Sequence, residues 1–399
     1  MTSTYSTDIV IFGGGVAGLW LLNRLRKQGF HAILLEAHTL GGGQTIASQG
    51  IIHGGLKYAL SGSFSATAEA IADMPARWRQ CLQGEGDIDL RGCCLRSEHY
   101  YMWSEAGFRS RLKTFLGSKS LRGRVQAVDK SAYPEFFKRA TVAGTLYQLP
   151  DFVIDTESLL AELVRKQEHH IYRIDAESLV FYRNGKGDID HLTVSNGDDS
   201  LRIESRQFIF CAGEGNKGLV SRAGLLKPRS QVRPLHMVYV KKSGLPALYV
   251  HCIGDSFSLT PKLTITSHAA VDGSTVWYLG GELAETGVER NAAEQVTAAT
   301  ALVQELFPWL DLSDAQWGCF TINRAEAKLG NKFRPDDALY IEEANVLVAW
   351  PTKLTLTPSL ADKLIEHLAA KSITPMAKDN TVELNKLLGQ PKIATAVWN

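Results

Sequence analysis

Three glycines, Gly13, Gly15 and Gly18, stand at the spacing GxGxxG directly after the apolar run Ile9-Val10-Ile11-Phe12, and a helical pattern opens at Val16-Ala17. Each glycine answers a separate demand. Gly13 permits the tight turn, Gly15 lets backbone approach a pyrophosphate, and Gly18 lets the helix pack closely on the strand. The start of such a helix offers unpaired N–H groups and a positive dipole end to phosphates. A second apolar run, residues 32–35, ends at Glu36-Ala37, and the acid lies eighteen residues beyond Gly18. A carboxylate there accepts hydrogen bonds from a ribose 2′-hydroxyl and repels a 2′-phosphate. The order strand, glycines, helix, strand, acid points to an adenine dinucleotide, FAD or NAD rather than NADP.

Other residues could act on a substrate beside such a cofactor. His53 precedes Gly54 and Gly55. Imidazole titrates at about pH 6.5, which suits a general base near neutrality. Against this stands a histidine that only hydrogen-bonds the cofactor or a carbonyl, and the two readings weigh about equally. Arg324 offers a planar guanidinium that grips a carboxylate or phosphate through two parallel bonds; the plainer alternative is an ion pair with Glu326 or Asp336. Lys353 would supply a compact positive charge or else sit in solvent, and Lys57 is an ordinary loop lysine unless it faces substrate. Tyr249 and His251 share a strand face by two-residue alternation and could line a pocket, with a core tyrosine and an outward histidine as the alternative.

The elements that must position these residues are legible in outline. Strand-like texture recurs in 171–210, with a hairpin at Arg183-Asn184-Gly185-Lys186, and in 232–283. Helices are predicted over about 66–81, 155–167, where Thr156 can cap, 291–307 and 359–371. Short apolar runs end at Ala212-Gly213 and near Ala349. Dinucleotide-type texture therefore appears at the start, middle and end of the chain. The expectation is an α/β fold, a Rossmann-like FAD-binding domain interleaved with an antiparallel β-sheet substrate domain. Its boundaries are predicted as 1–90, 146–230 and 320–375 for the first, 91–145 and 231–319 for the second, and 376–399 as a surface tail.

At 399 residues, with 45% hydrophobic and 21% charged residues, the composition is that of a globular protein of about two domains. A formal net charge of +1 supplies no field to recruit nucleic acid or an anionic membrane. No apolar run reaches the ~18 residues a membrane span requires. The N-terminus shows no signal-peptide core. The six cysteines lack metal-site spacing, and a reducing cytoplasm is the expected setting.

Ala47-Ser48-Gln49-Gly50-Ile51-Ile52-His53-Gly54-Gly55-Leu56-Lys57-Tyr58 resembles the flavin-side loop of glycerol-3-phosphate dehydrogenases, and Thr352-Lys353-Leu354-Thr355 resembles their late Gly-Gly-Lys-Leu-Thr segment. At the level of motif order, residues 7–370 resemble the FAD-dependent oxidoreductase superfamily of D-amino acid oxidase, glycine oxidase and glycerol-3-phosphate dehydrogenase. The resemblance implies FAD held extended, contacted by Thr45, Ala47, Ser48, Gln49, Ala212, Gly213 and residues 352–355, with an antiparallel sheet roofing its ring. No cysteine or histidine stands where a covalent flavin link can be argued, so the FAD is expected to be non-covalent. It also puts Arg324 where the superfamily often faces an arginine toward substrate. Trp350-Pro351 replaces glycines before the late lysine, and Ala325 replaces a proline after the arginine. The chain is also too short for the extra C-terminal domain of many glycerol-3-phosphate dehydrogenases.

FAD over NAD also follows from the residues, because an NAD site needs only the first fingerprint. Here the chain returns to a glycine-ended strand at Gly213 and to a strand-loop-helix element over residues 346–360. The late helix start could stabilise negative charge on a reduced flavin. The expected activity is hydride transfer from a small anionic secondary alcohol, of the hydroxy acid or glycerol phosphate kind, to flavin N5. The alternatives are oxidation of an amine or amino acid, or flavin binding without turnover. The substrate and the electron acceptor (oxygen, quinone or another protein) stay open.

Overall fold

A computed structural model of the chain describes residues 2–55, 71–105, 125–254, 260–330, 335, 337–376 and 381–399. The strand Thr2–Phe12 sits at the centre of the first sheet, parallel to Ala32–Glu36 on one side and to Asp199–Phe210 on the other. Parallel neighbours need a crossover, and the helix Val16–Lys27 supplies it. Alternate residues of the central strand enter separate cores. Ile9 and Ile11 pack with the helices Val16–Lys27, Thr156–Arg165 and Thr357–Ala370, while Val10 and Phe12 pack with Phe208, Phe210, Leu192 and Leu384. Ile171–Arg173 extends the sheet beyond Ala32–Glu36. On the far side, Asp199–Phe210 pairs with Ile189–Asn196 along its first half and with Val346–Trp350 along its end.

The second sheet runs, in order, Gln316–Ala327, Ser230–Lys242, Thr275–Gly280, Leu263–Ala269, Val250–Ile253, Tyr100–Glu105, Gly144–Leu149, Gln126–Ala127. Its neighbours are antiparallel except Val250–Ile253 against Tyr100–Glu105, which are parallel because two distant chain segments join there. One face receives the helix Ala292–Leu306 through Ala299, Val303 and Leu306. The opposite face presents Met237, Tyr278, Phe320 and Ile322. A small third sheet, Ile51–Ile52, Phe152–Ile154 and Leu95–Ser97, bridges the two. The architecture is the expected Rossmann-like half interleaved with a β-sheet half.

The details differ from expectation in several places. Leu146–Leu149 and Phe320–Ala327 belong to the second sheet, so boundaries at 145/146 and 319/320 fall inside strands. Asp155, not Thr156, caps its helix by accepting the Ser158 N–H at 2.9 Å, because Thr156 already lies within the first turn and is buried. The helix anticipated over 66–81 is seen as Met74–Gln83, with residues 56–70 outside the described set.

The tail is not a surface appendage. Leu384 and Leu388 are buried in the core below the first sheet. The Leu40 N–H donates to the Lys392 carbonyl at 2.8 Å and the Ala394 N–H to the Leu40 carbonyl at 3.0 Å. Trp398 ends against the second sheet, its ring 5.1 Å from those of Tyr278 and His268. The segment is a strap joining both sheets, which its irregular spacing of apolar residues does not announce. Removing a large buried ring costs roughly 3 kcal/mol. Trp398→Ala is therefore expected to lower stability by about that amount in equilibrium denaturation; a loss below about 1 kcal/mol would show that the strap's end contributes no packing.

Candidate dinucleotide and substrate site

The glycine turn is held from three sides. Gly13 has φ of 103°, its N–H donates to the Leu35 carbonyl at 2.9 Å, and a Cβ there would lie 2.5 Å from the Ala212 Cα. A Cβ on Gly18 would meet the Gly13 carbonyl oxygen at 2.0 Å. Both positions exclude any side chain. Gly15 is extended at the helix start, and the Val16 N–H donates to Thr45 Oγ1 at 3.0 Å. Glu36, with Ala37 beside it half-buried, accepts the Gly14 N–H at 2.6 Å and the His38 N–H at 2.8 Å, one on each carboxylate oxygen. A carboxylate offers about four lone-pair sites, so this one is oriented and can still accept ribose hydroxyls. Across the turn, the Ala212 N–H donates to Asn216 Oδ1 at 2.9 Å, and Gly213 takes φ of 57°.

The loop after the first βαβ unit is fastened to the second sheet. Tyr278 Oη donates to the Ala47 carbonyl at 2.8 Å. The Gln49 amide donates to the carbonyls of Tyr278 at 2.8 Å and Thr264 at 3.2 Å. Further on, the His53 N–H donates to Thr355 Oγ1 and the Gly54 N–H to Asp151 Oδ1, both at 2.8 Å. Thr45, Gln49 and Thr355, expected to contact the cofactor, use these side-chain bonds to position backbone around the site. Lys57, with Leu56 and Tyr58, lies outside the described residues.

The late segment carries strain. Thr352 is a β-branched residue at φ 61°, a conformation that favours glycine. Its Oγ1 is buried without a hydrogen-bond partner among the described residues, as is Ser48 Oγ. Two orphaned hydroxyls at positions expected to meet the cofactor, together with the glycine cradle and the oriented Glu36, fit a bound dinucleotide. After Thr352 come Lys353, half-buried, a single 3₁₀ turn Leu354–Leu356, and the helix Thr357–Ala370 with Pro358 in its first turn.

Among the substrate candidates, Arg324 lies on the strand face shared with Phe320 and Ile322, the face that meets Tyr278. Its guanidinium is 3.4 Å from Glu285 Oε1 rather than paired with Glu326, which is buried. Next to it, Asn323 Nδ2 donates to Glu214 Oε1 at 2.9 Å, bringing this strand against the Gly213 turn. Tyr249 stands just before the strand Val250–Ile253 and His251 within it. The His251 ring is 4.5 Å from that of Tyr100 and its Nδ1 lies 3.0 Å from Thr264 Oγ1, while Tyr249 Oη donates to the Ser267 carbonyl at 3.2 Å. The structure thus gathers His53, Thr355 and Asp151 in one place. Arg324 lies on the edge strand of the second sheet. Two residues that sequence patterns did not bring forward, Asn216 and Asp151, also hold the site. Their signals were an acid alone in the apolar stretch 149–154 and an asparagine four residues past Ala212.

Thr352→Gly is expected to raise the thermal stability of the flavin-free protein by about 1 kcal/mol through relief of strain. It should at the same time weaken FAD binding by roughly fivefold as a hydroxyl is lost. Fluorescence titration with FAD and a melting curve check both; a less stable variant would refute the strain.

The family described as "FAD dependent oxidoreductase" matches residues 8–352. The chain is 41% identical, over all 399 residues and 99% of the other protein, to the probable FAD-dependent oxidoreductase PA4991 of Pseudomonas aeruginosa. The crystal structure of PA4991 superposes with a TM-score of 0.85 at 37% identity, covering 100% of this chain and 99% of that one. Over 211 residues the chain is 36% identical to a subunit of the anaerobic glycerol-3-phosphate dehydrogenase of Haemophilus influenzae, covering 52% of this chain and 30% of that protein. The glycine oxidase of Geobacillus kaustophilus shares the fold, with a TM-score of 0.65 at 17% identity over 95% of this chain and 98% of that one. Fingerprint, interleaved sheets and whole-length similarity agree: the chain belongs to the FAD-dependent oxidoreductase family, an enzyme family acting on CH–OH or CH–NH groups.

Proposed function

We propose that this flavoenzyme dehydrogenates a small anionic secondary alcohol, of the hydroxy acid or glycerol phosphate kind. The observation that carries this reading is the double fastening of the His53 loop, through its own N–H to Thr355 and through the next N–H to Asp151. A loop held that firmly places an imidazole at a defined point, which a base needs and a spacer does not. FAD, when bound, supplies the acceptor for the substrate's C–H hydride at its N5. His53 takes the hydroxyl proton as the C–O bond becomes C=O. Arg324 grips the substrate anion, exchanging its 3.4 Å contact with Glu285 for a bidentate one. Lys353 and the positive dipole end of Thr357–Ala370 lie on one turn and make it a place for negative charge. Tyr249 and His251 would border the pocket from the roof, and Lys57 from the same loop as His53. The partial match to a glycerol-3-phosphate dehydrogenase supports an alcohol.

An amine or amino acid is the second reading, favoured by the shared fold with glycine oxidase. An amine can arrive neutral and needs no base. The acceptor that reoxidises the flavin is oxygen, a quinone or another protein. Six free cysteines support a reducing cytoplasmic setting, and among the described residues no helix is long and apolar enough to cross a membrane.

Anaerobic bleaching of the flavin band across hydroxy acids, glycerol phosphates and amino acids separates the readings. Bleaching by none would favour flavin binding without turnover. Arg324→Ala should raise KM for the anionic substrate by roughly 10- to 100-fold, the worth of a charged hydrogen bond. His53→Gln should slow bleaching by an alcohol by about 10²-fold or more, and leave bleaching by an amine nearly unchanged. An unchanged alcohol rate removes His53 as the base.

A further inference from the structure

Ile51–Ile52 pairs antiparallel with Phe152–Ile154, with Ile51 opposite Val153 and Ile52 opposite Phe152. One step further along this ladder His53 faces Asp151. The strand pairing ends there, and side chains take over the exposed backbone. Asp151 Oδ1 accepts the Gly54 N–H at 2.8 Å, and Thr355 Oγ1 accepts the His53 N–H at the same distance. Asp151 is only 3% exposed, and among the described residues no cation pairs with it. A Cβ added to Gly54 would lie 3.7 Å from Asp151 Oδ1, so the carboxyl sits directly against this backbone.

A buried carboxyl without a cationic partner costs free energy when charged. Burial pushes the Asp151 carboxyl up to about 7, with the Gly54 N–H opposing the shift. Its titratable surroundings come from two elements of the second sheet and from its own loop partner. Tyr100 is fully buried, feels Asp151, Cys252 and Tyr249, and is raised well above the usual phenol range by burial. His251 packs on the Tyr100 ring, and His53 stands on the held loop. Tyr100 and Tyr249 carry no charge near neutrality, because burial raises both phenols.

We propose that Asp151 is a positioning residue for His53: its carboxyl holds the Gly54 amide and thereby fixes the backbone that carries the imidazole. The inference rests on His53 acting as the base, and it deepens that reading. In either protonation state an oxygen remains to accept the Gly54 N–H. Ionisation turns the bond into a charge-assisted one and adds a negative charge behind the base.

The variants are Asp151→Asn, which keeps an acceptor oxygen and cannot ionise, and Asp151→Leu, which removes the acceptor while keeping the branching at Cγ. Hydrogen exchange by mass spectrometry on the FAD-loaded enzyme should show residues 50–55 protected in wild type and in Asp151→Asn. In Asp151→Leu the same segment should exchange at least tenfold faster. Thermal midpoints add a second readout. The folded acid holds its proton up to about pH 7 while the unfolded one releases it near 3.8, so its contribution to stability is present at low pH and is lost as pH rises between those values. The wild-type midpoint should fall relative to Asp151→Asn between pH 4.5 and 7.5, levelling above. With an alcohol that bleaches the flavin, Asp151→Leu should lower kcat with little change in KM and Asp151→Asn should restore most of it. Adding Asp151→Leu to His53→Gln should cost nothing further. Unchanged exchange in Asp151→Leu, a midpoint difference flat with pH, or additive losses in the double variant would overturn the proposal. The exchange and melting measurements need no substrate, so they decide on Asp151 even where no tested alcohol bleaches the flavin and the substrate reading fails.

Discussion

A stretch of chain with little ladder of its own must have its backbone N–H and carbonyl groups paired by side chains from elsewhere. Residues 45–55 are that stretch. Their partners arrive from every layer: Tyr278 to the Ala47 carbonyl, Gln49 to the carbonyls of Thr264 and Tyr278, Thr355 to the His53 N–H, and Asp151 to the Gly54 N–H. The loop reaches its final conformation only when the second sheet, the small bridging sheet and the late helix are all in place. This explains the interleaving physically. A chain whose two halves folded one after the other would leave this loop unpaired until the end, whereas one that alternates between layers brings each partner to it.

The same dependence makes sense of features that look costly alone. Thr352 is held in a conformation that glycine would occupy more easily, and its buried hydroxyl has no partner among the described residues. Strain of this kind persists where surrounding structure over-determines the backbone. Here Trp350 anchors one side in the sheet, and Leu354–Leu356 leads into a well-packed helix on the other. The helix is tied in turn by Asp362, which pairs with Arg77 and Arg24, while Asp87 bridges the same two arginines. These groups are partly shielded and form a network, which is the setting in which ion pairs contribute measurably. On the opposite side the C-terminal strap closes over Leu40 and ends on Tyr278, the residue that grips Ala47. Cofactor turn, loop and roof are thus braced from both ends.

Much of the first sheet was legible because its signals are local. A fingerprint of glycines, an acid at the next strand end and clean apolar runs depend on near neighbours, and Gly13, Gly18 and Glu36 stand where those signals put them. Membership of the second sheet is a long-range fact. Nothing within Leu146–Leu149 says that it pairs with Tyr100–Trp103, or within Phe320–Ala327 that it pairs with Ser230–Met237, and the expected boundaries cut through both strands. The strap escaped notice for a related reason: Leu384, Leu388, Ala396 and Trp398 share no single period, since the first two enter the core below the first sheet and the last two pack on the second sheet. Asp151 was invisible because an acid beside a strand reads as exposed until its partner, Gly54, is brought to it by folding.

If Arg324 grips the substrate anion as proposed, the charges around it narrow the substrate further. Arg324 is already faced by Glu285 at 3.4 Å, longer than a close charge-assisted bond of roughly 2.7–2.9 Å. Such a pair is loosely held and can yield to a ligand that offers two oxygens in the plane of the guanidinium. At an effective dielectric of about 20, opposite unit charges at ~4 Å attract by about 4 kcal/mol. Bringing a monoanionic carboxylate to Arg324 therefore exchanges one such attraction for a comparable one with better geometry. A phosphate dianion carries a second charge that this guanidinium, still near Glu285, leaves uncompensated. It would need another cation within reach, and Lys353, on the turn that leads into the late helix, is the candidate. On the proposed alcohol reading, with Arg324 as the anion clamp, the choice between a hydroxy acid and a glycerol phosphate would reduce to whether the Lys353 ammonium and the Arg324 guanidinium can meet the same anion.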